Sequence, residues 1–413
     1  MMDYQLTKIK QRFRTNSLPD VKAELSSELG KIGSLIEPGA RIAVAAGSRG
    51  VQNLELVVKE LVDFIRENHA EPFVVPAMGS HGGATAAGQA EILAGYGISE
   101  KSVGAPVRSS MEVIELPRGD CPNRIFMDKY AYDSDGVILI NRIKPHTDYH
   151  GTYESGLVKM AVIGLGKEKQ ASAIHRYGIY GLSKLIPKTA HQIFSTGKIL
   201  GGIALVENAY DDTMLVKVLK GKDIFQQERV LLELARNNMP ALPVDKIDLL
   251  IIDQMGKDIS GVGIDTNIIG RIRIAGQDDP DKPDIKAILV SDLTDNSHGN
   301  AIGLGLADVI TKKLYDKIDF PATYSNAITS SFLERTKIPI VGANGREAFE
   351  IALRSCGYLE KGEENIIRIR DTLHLDEMYV SPSIRKAVNG SERIETMKEN
   401  VPLFAKGNDF ALF

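Results

Sequence analysis

The residues best suited to chemistry in this chain follow short apolar runs. Arg41–Ala46 (RIAVAA) leads to Gly47-Ser48-Arg49-Gly50, and Pro72–Pro76 (PFVVP) leads to Gly79-Ser80-His81-Gly82-Gly83. Gly136–Ile140 (GVILI) leads to Asn141-Arg142-Ile143-Lys144-Pro145-His146. Leu249–Ile252 (LLII) leads to Asp253 and then Gly256-Lys257-Asp258, and Ile285–Val290 (IKAILV) to Ser291-Asp292 and then Ser297-His298-Gly299. A histidine whose pKa lies near neutrality can take and return a proton. An arginine offers a two-pronged clamp for a carboxylate. In open α/β sheets ligands gather just beyond the carboxyl ends of the strands. Strand ends that deliver glycines with an Arg, a His or a Lys–Asp pair therefore describe a catalytic cleft, and an enzyme rather than a scaffold.

The densest segment is Lys144–Tyr177 (KPHTDYHGTYESGLVKMAVIGLGKEKQASAIHRY), which holds His146, His150 and His175. Familiar phosphate loops fail there. Gly166-Lys167 is followed by Glu168 rather than Ser or Thr, and Gly164-Leu165-Gly166 lacks the third glycine of a dinucleotide fingerprint. The chain has no HExxH, EF-hand or GxSxG pattern.

The segment resembles the nickel-dependent lactate racemase family, whose cofactor is a nickel-pincer nucleotide. Pro145-His146 near a strand end is followed by Ser155-Gly156-Leu157-Val158-Lys159, and His175 lies sixteen residues beyond the lysine. Upstream, Arg49 in a glycine-flanked loop and His81 about one βα unit later match the family's order. The resemblance covers roughly Arg41–Tyr177 and extends weakly beyond. It implies that Lys159 is joined covalently to pyridinium-3,5-bisthiocarboxylic acid mononucleotide nickel, and that His175 is the protein ligand to the metal. Imidazole suits nickel in planar geometry. It also implies that His81 and His146 are the paired acid/base residues and that Arg49 binds the substrate carboxylate. The implied reaction racemises or epimerises a 2-hydroxy acid: a base takes the hydroxyl proton, hydride passes to the cofactor, and both return to either face of the planar keto acid.

Two departures from the family pattern bear on the site. The step from His146 to Lys159 is thirteen residues, about three longer than usual, so His150 competes for the role given to His146. The second-domain segment Gly256–Asn267 (GKDISGVGIDTN) lacks the family's substrate-facing Gln and Lys order. A substrate with polar groups other than those of lactate, met by Lys257, Asn267 or His298, is expected. Two other readings keep the fold: a non-catalytic nucleotide- or organic-acid-binding protein, and a nicotinamide-dependent dehydrogenase. The missing dinucleotide fingerprint weighs against the latter.

The elements that must position these residues alternate. The apolar runs are short and rich in Val, Ile and Ala, as strands of a parallel sheet buried on both faces are. Between them Asn53–Asn68, Ile224–Asn237 and Leu304–Ile318 carry apolar residues at helical spacing, the first behind a capping Asn53. The pattern predicts α/β: two α/β domains with parallel-type sheets and an active-site cleft between them. The prolines of Asn238–Val244 (NMPALPV) place a boundary between 1–243 and 244–413, with the tail after about 383 free to pack back on the first domain.

Composition agrees. With 413 residues, 43% hydrophobic and 25% charged, the chain can bury ample core. A net charge of −4 excludes the broad positive field of a nucleic-acid binder. Two distant cysteines, Cys121 and Cys356, exclude a disulfide scaffold and a cysteine-rich metal site. No apolar run approaches a membrane span, and Met1–Arg14 has no signal core. A cytoplasmic protein acting on a small hydroxy acid, with no nucleic acid or membrane partner, is expected.

Overall fold

The computed structural model describes residues 4–413 other than Ser48, Arg49, Lys361, Lys406 and the side chain of Thr329. The strands are β1 (Gln5–Gln11), β2 (Arg41–Ala46), β3 (Glu71–Pro76), β4 (Val113–Leu116), β5 (Ile125–Asp128), β6 (Gly136–Arg142), β7 (Ile199–Glu207) and β8 (Thr213–Lys220). They continue with β9 (Lys246–Met255), β10 (Asp284–Leu293), β11 (Val309–Thr311), β12 (Ile340–Gly342), β13 (Ile366–Ile369), β14 (Glu377–Val380) and β15 (Ile394–Pro402). Every apolar run expected to be a strand is one.

The chain divides into two α/β units. One is Arg14–Met239, and the other joins the chain up to Phe13 to Pro240–Phe413. The division falls within the proline-bearing stretch 238–244, but two details differ from the expected 1–243 and 244–413. The N-terminal strand β1 belongs to the later unit, because it pairs antiparallel with both β14 and β15. The tail after 383 stays in that unit for the same reason, since β15 completes its sheet.

In Arg14–Met239 a five-stranded sheet runs β3-β2-β6-β7-β8, with β8 antiparallel to an otherwise parallel set. Ala46 at the end of β2 lies opposite Pro76 of β3 and Ile140 of β6. The three following loops therefore leave from one edge, that of β6 two residues further on at Arg142. One face of the sheet presents Ile42, Val44, Ile138, Ile140, Ile203 and Leu205 to helices Val21–Gly33 and Leu54–Glu67. The apolar stripe of the second helix (Val57, Val58, Leu61, Ile65) is wholly buried there, each such side chain contributing about 1.5–3 kcal/mol. Asn53 occupies the N-cap position but its side chain caps nothing: its backbone is left-handed, at φ +63°, and its Nδ2 donates to Thr213 Oγ1 at 3.0 Å.

In the other unit an eight-stranded sheet runs β12-β11-β10-β9-β13-β14-β1-β15, parallel from β12 through β13 and antiparallel beyond. Met255 of β9 pairs with Leu293 of β10, so the loops bearing Lys257 and His298 leave from the same edge. The helix expected over 304–318 is instead a single turn at Leu304–Leu306, then β11, then the short helix Lys312–Asp316. Val309, Ile310 and Thr311 are β-branched and buried between β10 and β12, where pairing outweighs helical periodicity. No described helix is long and apolar enough to cross a membrane.

Candidate functional site

Strand β6 ends at Arg142, and the loop that follows is built around one buried carboxylate. Glu154 accepts from the His146 backbone N–H (2.6 Å) and the Gly151 N–H (3.1 Å), lies 3.3 Å from His150 Nδ1, and is paired with Arg236 from helix Ile224–Asn237. Burial alone would raise its pKa, but His150, the His146 N–H and Arg236 together hold it below the usual carboxylate range. Glu154 thus fixes the path of the chain through both competing histidines.

Their surroundings differ. The His146 ring lies against the buried Tyr149 ring at 4.8 Å, and its Nδ1 accepts from the Asp148 N–H at 3.0 Å. A backbone N–H can only donate, so Nδ1 keeps its lone pair and the proton of a neutral imidazole sits on Nε2. That Nε2 is hydrogen-bonded to Lys159 Nζ, which also stands 5.8 Å from the centre of the Tyr149 ring. His150 faces Glu154 instead.

Lys159 ends a short helical turn, Leu157–Lys159, and a π-helical stretch, Met160–Gly164, follows at once. The Leu165 N–H donates to the Met160 carbonyl at 2.9 Å, the five-residue step of a π-turn, a device frequent at functional sites. Helix Lys167–His175 then brings His175 back at its last residue. Burial first, and next the Lys159 charge whenever that amine is protonated, hold His175 below its ordinary value, with Asp148 opposing. A lowered value keeps the imidazole neutral, the form in which it binds metal.

Glu228 lies beneath this turn, and sequence reading missed it. It is wholly buried, its Oε2 accepts from the Val158 N–H at 3.0 Å, and its Oε1 has no partner. A Cβ on Gly156 would stand 2.4 Å from that Oε1, so the Ser155-Gly156 step needs its glycine. Burial pushes Glu228 up to about 7 against the backbone N–H groups of Val158 and Leu157. A carboxyl raised in the folded state contributes stability that is full below about 4.5 and lost as pH rises through about 7. We expect the protein to lose up to about 3 kcal/mol over that window through this group, and Glu228→Gln, which keeps the acceptor, to flatten the change. Urea unfolding at pH 5 and pH 8 measures it, and equal losses in the two proteins would refute it. A signal was legible: Ile224, Glu228, Leu231, Leu232 and Ala235 form one buried stripe, with a Glu at an apolar position.

His81 is exposed on the loop after β3. The Gly79 N–H donates to the Gly164 carbonyl at 3.2 Å, which ties this loop to the segment that follows Lys159. Arg49 lies outside the described residues. In the other unit the Lys257 N–H donates to Ser297 Oγ at 2.9 Å, while Asp258 accepts from Thr294 Oγ1 (2.6 Å) and Asn296 (3.1 Å). Lys257 and the turn of His298 are thereby held together, His298 in a left-handed conformation at φ +47°. Asn267 is the second residue of helix Thr266–Ile269, its side chain donating to Asp265 at 2.9 Å. No group of three or more His, Cys, Asp or Glu that could hold a metal occurs among the described residues.

The comparisons with known proteins concern the fold. The lactate racemase apoprotein from Thermoanaerobacterium thermosaccharolyticum superposes with a TM-score of 0.56 over 89% of this chain and 98% of its own, at 13% identity. The chain shares the lactate racemase fold. A match of that length takes in residues of both units, so the racemase-like architecture is not confined to the segment whose motifs resemble the family. A protein from Thermotoga maritima is 15% identical over 77% of this chain and 83% of its own, with a TM-score of 0.49. No family model and no curated protein matches the sequence.

Proposed function

We propose that the protein is a racemase or epimerase of 2-hydroxy acids that carries a nickel-pincer nucleotide on Lys159. The observation that supports this most is the hydrogen bond between Lys159 Nζ and His146 Nε2, with the half-buried His175 closing the helix that follows. The donor set fits the group. A nickel held mostly by its own organic ligand needs one protein donor, and His175 is a half-buried, neutral imidazole outside any cluster of carboxylates or thiols among the described residues. Attachment needs an unprotonated amine. The tautomer set by the Asp148 N–H directs the Nε2 proton of His146 at the Lys159 nitrogen, which must accept it through its lone pair.

A positioned general base gives about 10²–10⁴-fold, whereas enzymes reach at least ~10⁶-fold, so one histidine falls short. When bound on Lys159 with His175 as metal ligand, the nickel-pincer nucleotide would supply reversible hydride-acceptor chemistry. The chain's own residues do the rest. His146 and His81 would be the paired acid/base residues, one for each face of the substrate, each holding the proton in one direction and returning it in the other. Glu154 would hold the backbone at His146, Tyr149 and the Asp148 N–H would hold its ring, and Arg49 would grip the carboxylate.

Intact-mass spectrometry with nickel analysis, on protein made alongside the cofactor pathway, tests this. The expected result is an adduct localised to Lys159 and about one nickel per chain, with no activity in protein made without that pathway. Turnover of a hydroxy acid by an adduct-free, metal-free preparation would overturn it.

A further inference from the structure

Lys167 is a buried lysine that the proposed chemistry does not use. Its side chain has no exposed surface, and its backbone is left-handed at φ +56°, where residues with a Cβ are uncommon. Its Nζ lies 3.1 Å from Asp128 Oδ2, itself buried, and donates to the Pro76 carbonyl at 2.5 Å and to Gln89 Oε1 at 3.1 Å. Gln89, wholly buried as well, donates from Nε2 to the Gly79 carbonyl at 2.9 Å and to the His81 carbonyl at 3.3 Å. Asp128 is anchored in turn: its N–H donates to the Leu165 carbonyl at 2.7 Å, and its Oδ1 accepts from the Ala131 N–H at 2.9 Å.

Taking two charges out of water costs more than their attraction ordinarily returns, so a buried pair is weak evidence of a stability device. What this pair does have is reach. Lys167 stands eight residues after Lys159 and eight before His175, and its amine meets the end of β3 at the Pro76 carbonyl and, through Gln89, the loop that carries His81. We propose that Lys167, acting through Gln89, is a positioning residue that locks the His81 loop to the Lys159–His175 segment, so that the acid/base histidine and the cofactor-holding residues keep one register. The inference rests on reading His81, Lys159 and His175 as parts of one site.

Lys167→Met leaves Asp128 uncompensated and lowers stability whatever else the lysine does. The paired variant Lys167→Met/Asp128→Asn removes both charges, and Gln89→Met removes the link alone. Amide hydrogen exchange of the unloaded protein reads the brace without reference to nickel. In the paired variant and in Gln89→Met the segment 77–85 should exchange at least about tenfold faster, with β2 and β6 unchanged, while the thermal midpoint of the paired variant returns toward wild type. In loaded protein the same variants should lose kcat with KM retained. Wild-type exchange across 77–85 in the paired variant would reduce Lys167 to a charge balance and overturn the proposal. Faster exchange in a protein that binds no nickel would leave the brace standing and sink the reading of the site instead.

Discussion

Lys159→Ala is expected to yield folded protein with no covalent adduct, no stoichiometric nickel and no racemase activity above background. A general base accounts for at most about 10⁴ of the acceleration, and the remainder, at least ~10²-fold on typical totals, comes with the attached group. Lys159→Arg should fail equally, because a guanidinium keeps the charge but cannot be acylated in its place. This separates an attachment role from an electrostatic one. The thermal midpoint serves as the control that the variant is folded. Wild-type nickel content in Lys159→Ala would remove the proposal's foundation.

His146→Ala is expected to lower kcat by about 10²–10⁴-fold, and His150→Ala by less than about tenfold. The histidines are four residues apart and equally plausible by type, but the loop gives them different tasks. His146 is packed at a tilt against Tyr149, oriented by the Asp148 N–H, and aimed at Lys159. His150 is held by Glu154, a carboxylate that keeps Arg236 and two backbone donors when His150 is removed. Steady-state kinetics of the two variants, with thermal midpoints as a control for folding, decide between them. The reverse order would move the acid/base role to His150.

Much of this was legible in the sequence, for identifiable reasons. A strand buried on both faces must be apolar at every position, and RIAVAA, GVILI and LLII cannot be read otherwise. The Lys159-to-His175 interval was legible only through the family resemblance, since nothing local marks Lys159 as more than a surface lysine or His175 as more than a helical histidine. What escaped reading depends on partners distant in the chain. Val309–Thr311 satisfies helical periodicity and becomes a strand only because β10 and β12 flank it. β15 is mostly exposed and polar, with nothing local to mark it as the neighbour of β1. Lys167 sits in a polar run, GKEKQ, that looks solvated; its burial follows from Asp128, thirty-nine residues earlier.

The pairing of β1 with β14 and β15 makes one unit a nested insertion within the other. During synthesis the first strand leaves the ribosome long before either neighbour exists, and both of its edges must wait for the final forty residues or so. Arg14–Met239 faces no such delay, because every strand of its sheet comes from its own stretch of chain. The unit that contains Lys159 should therefore mature first, and such long-range closure is slow and exposed to misassembly. Shortening the polypeptide by its last strand would strip β1 of one partner and harm a region almost four hundred residues away in sequence, while sparing Lys159 and its neighbours.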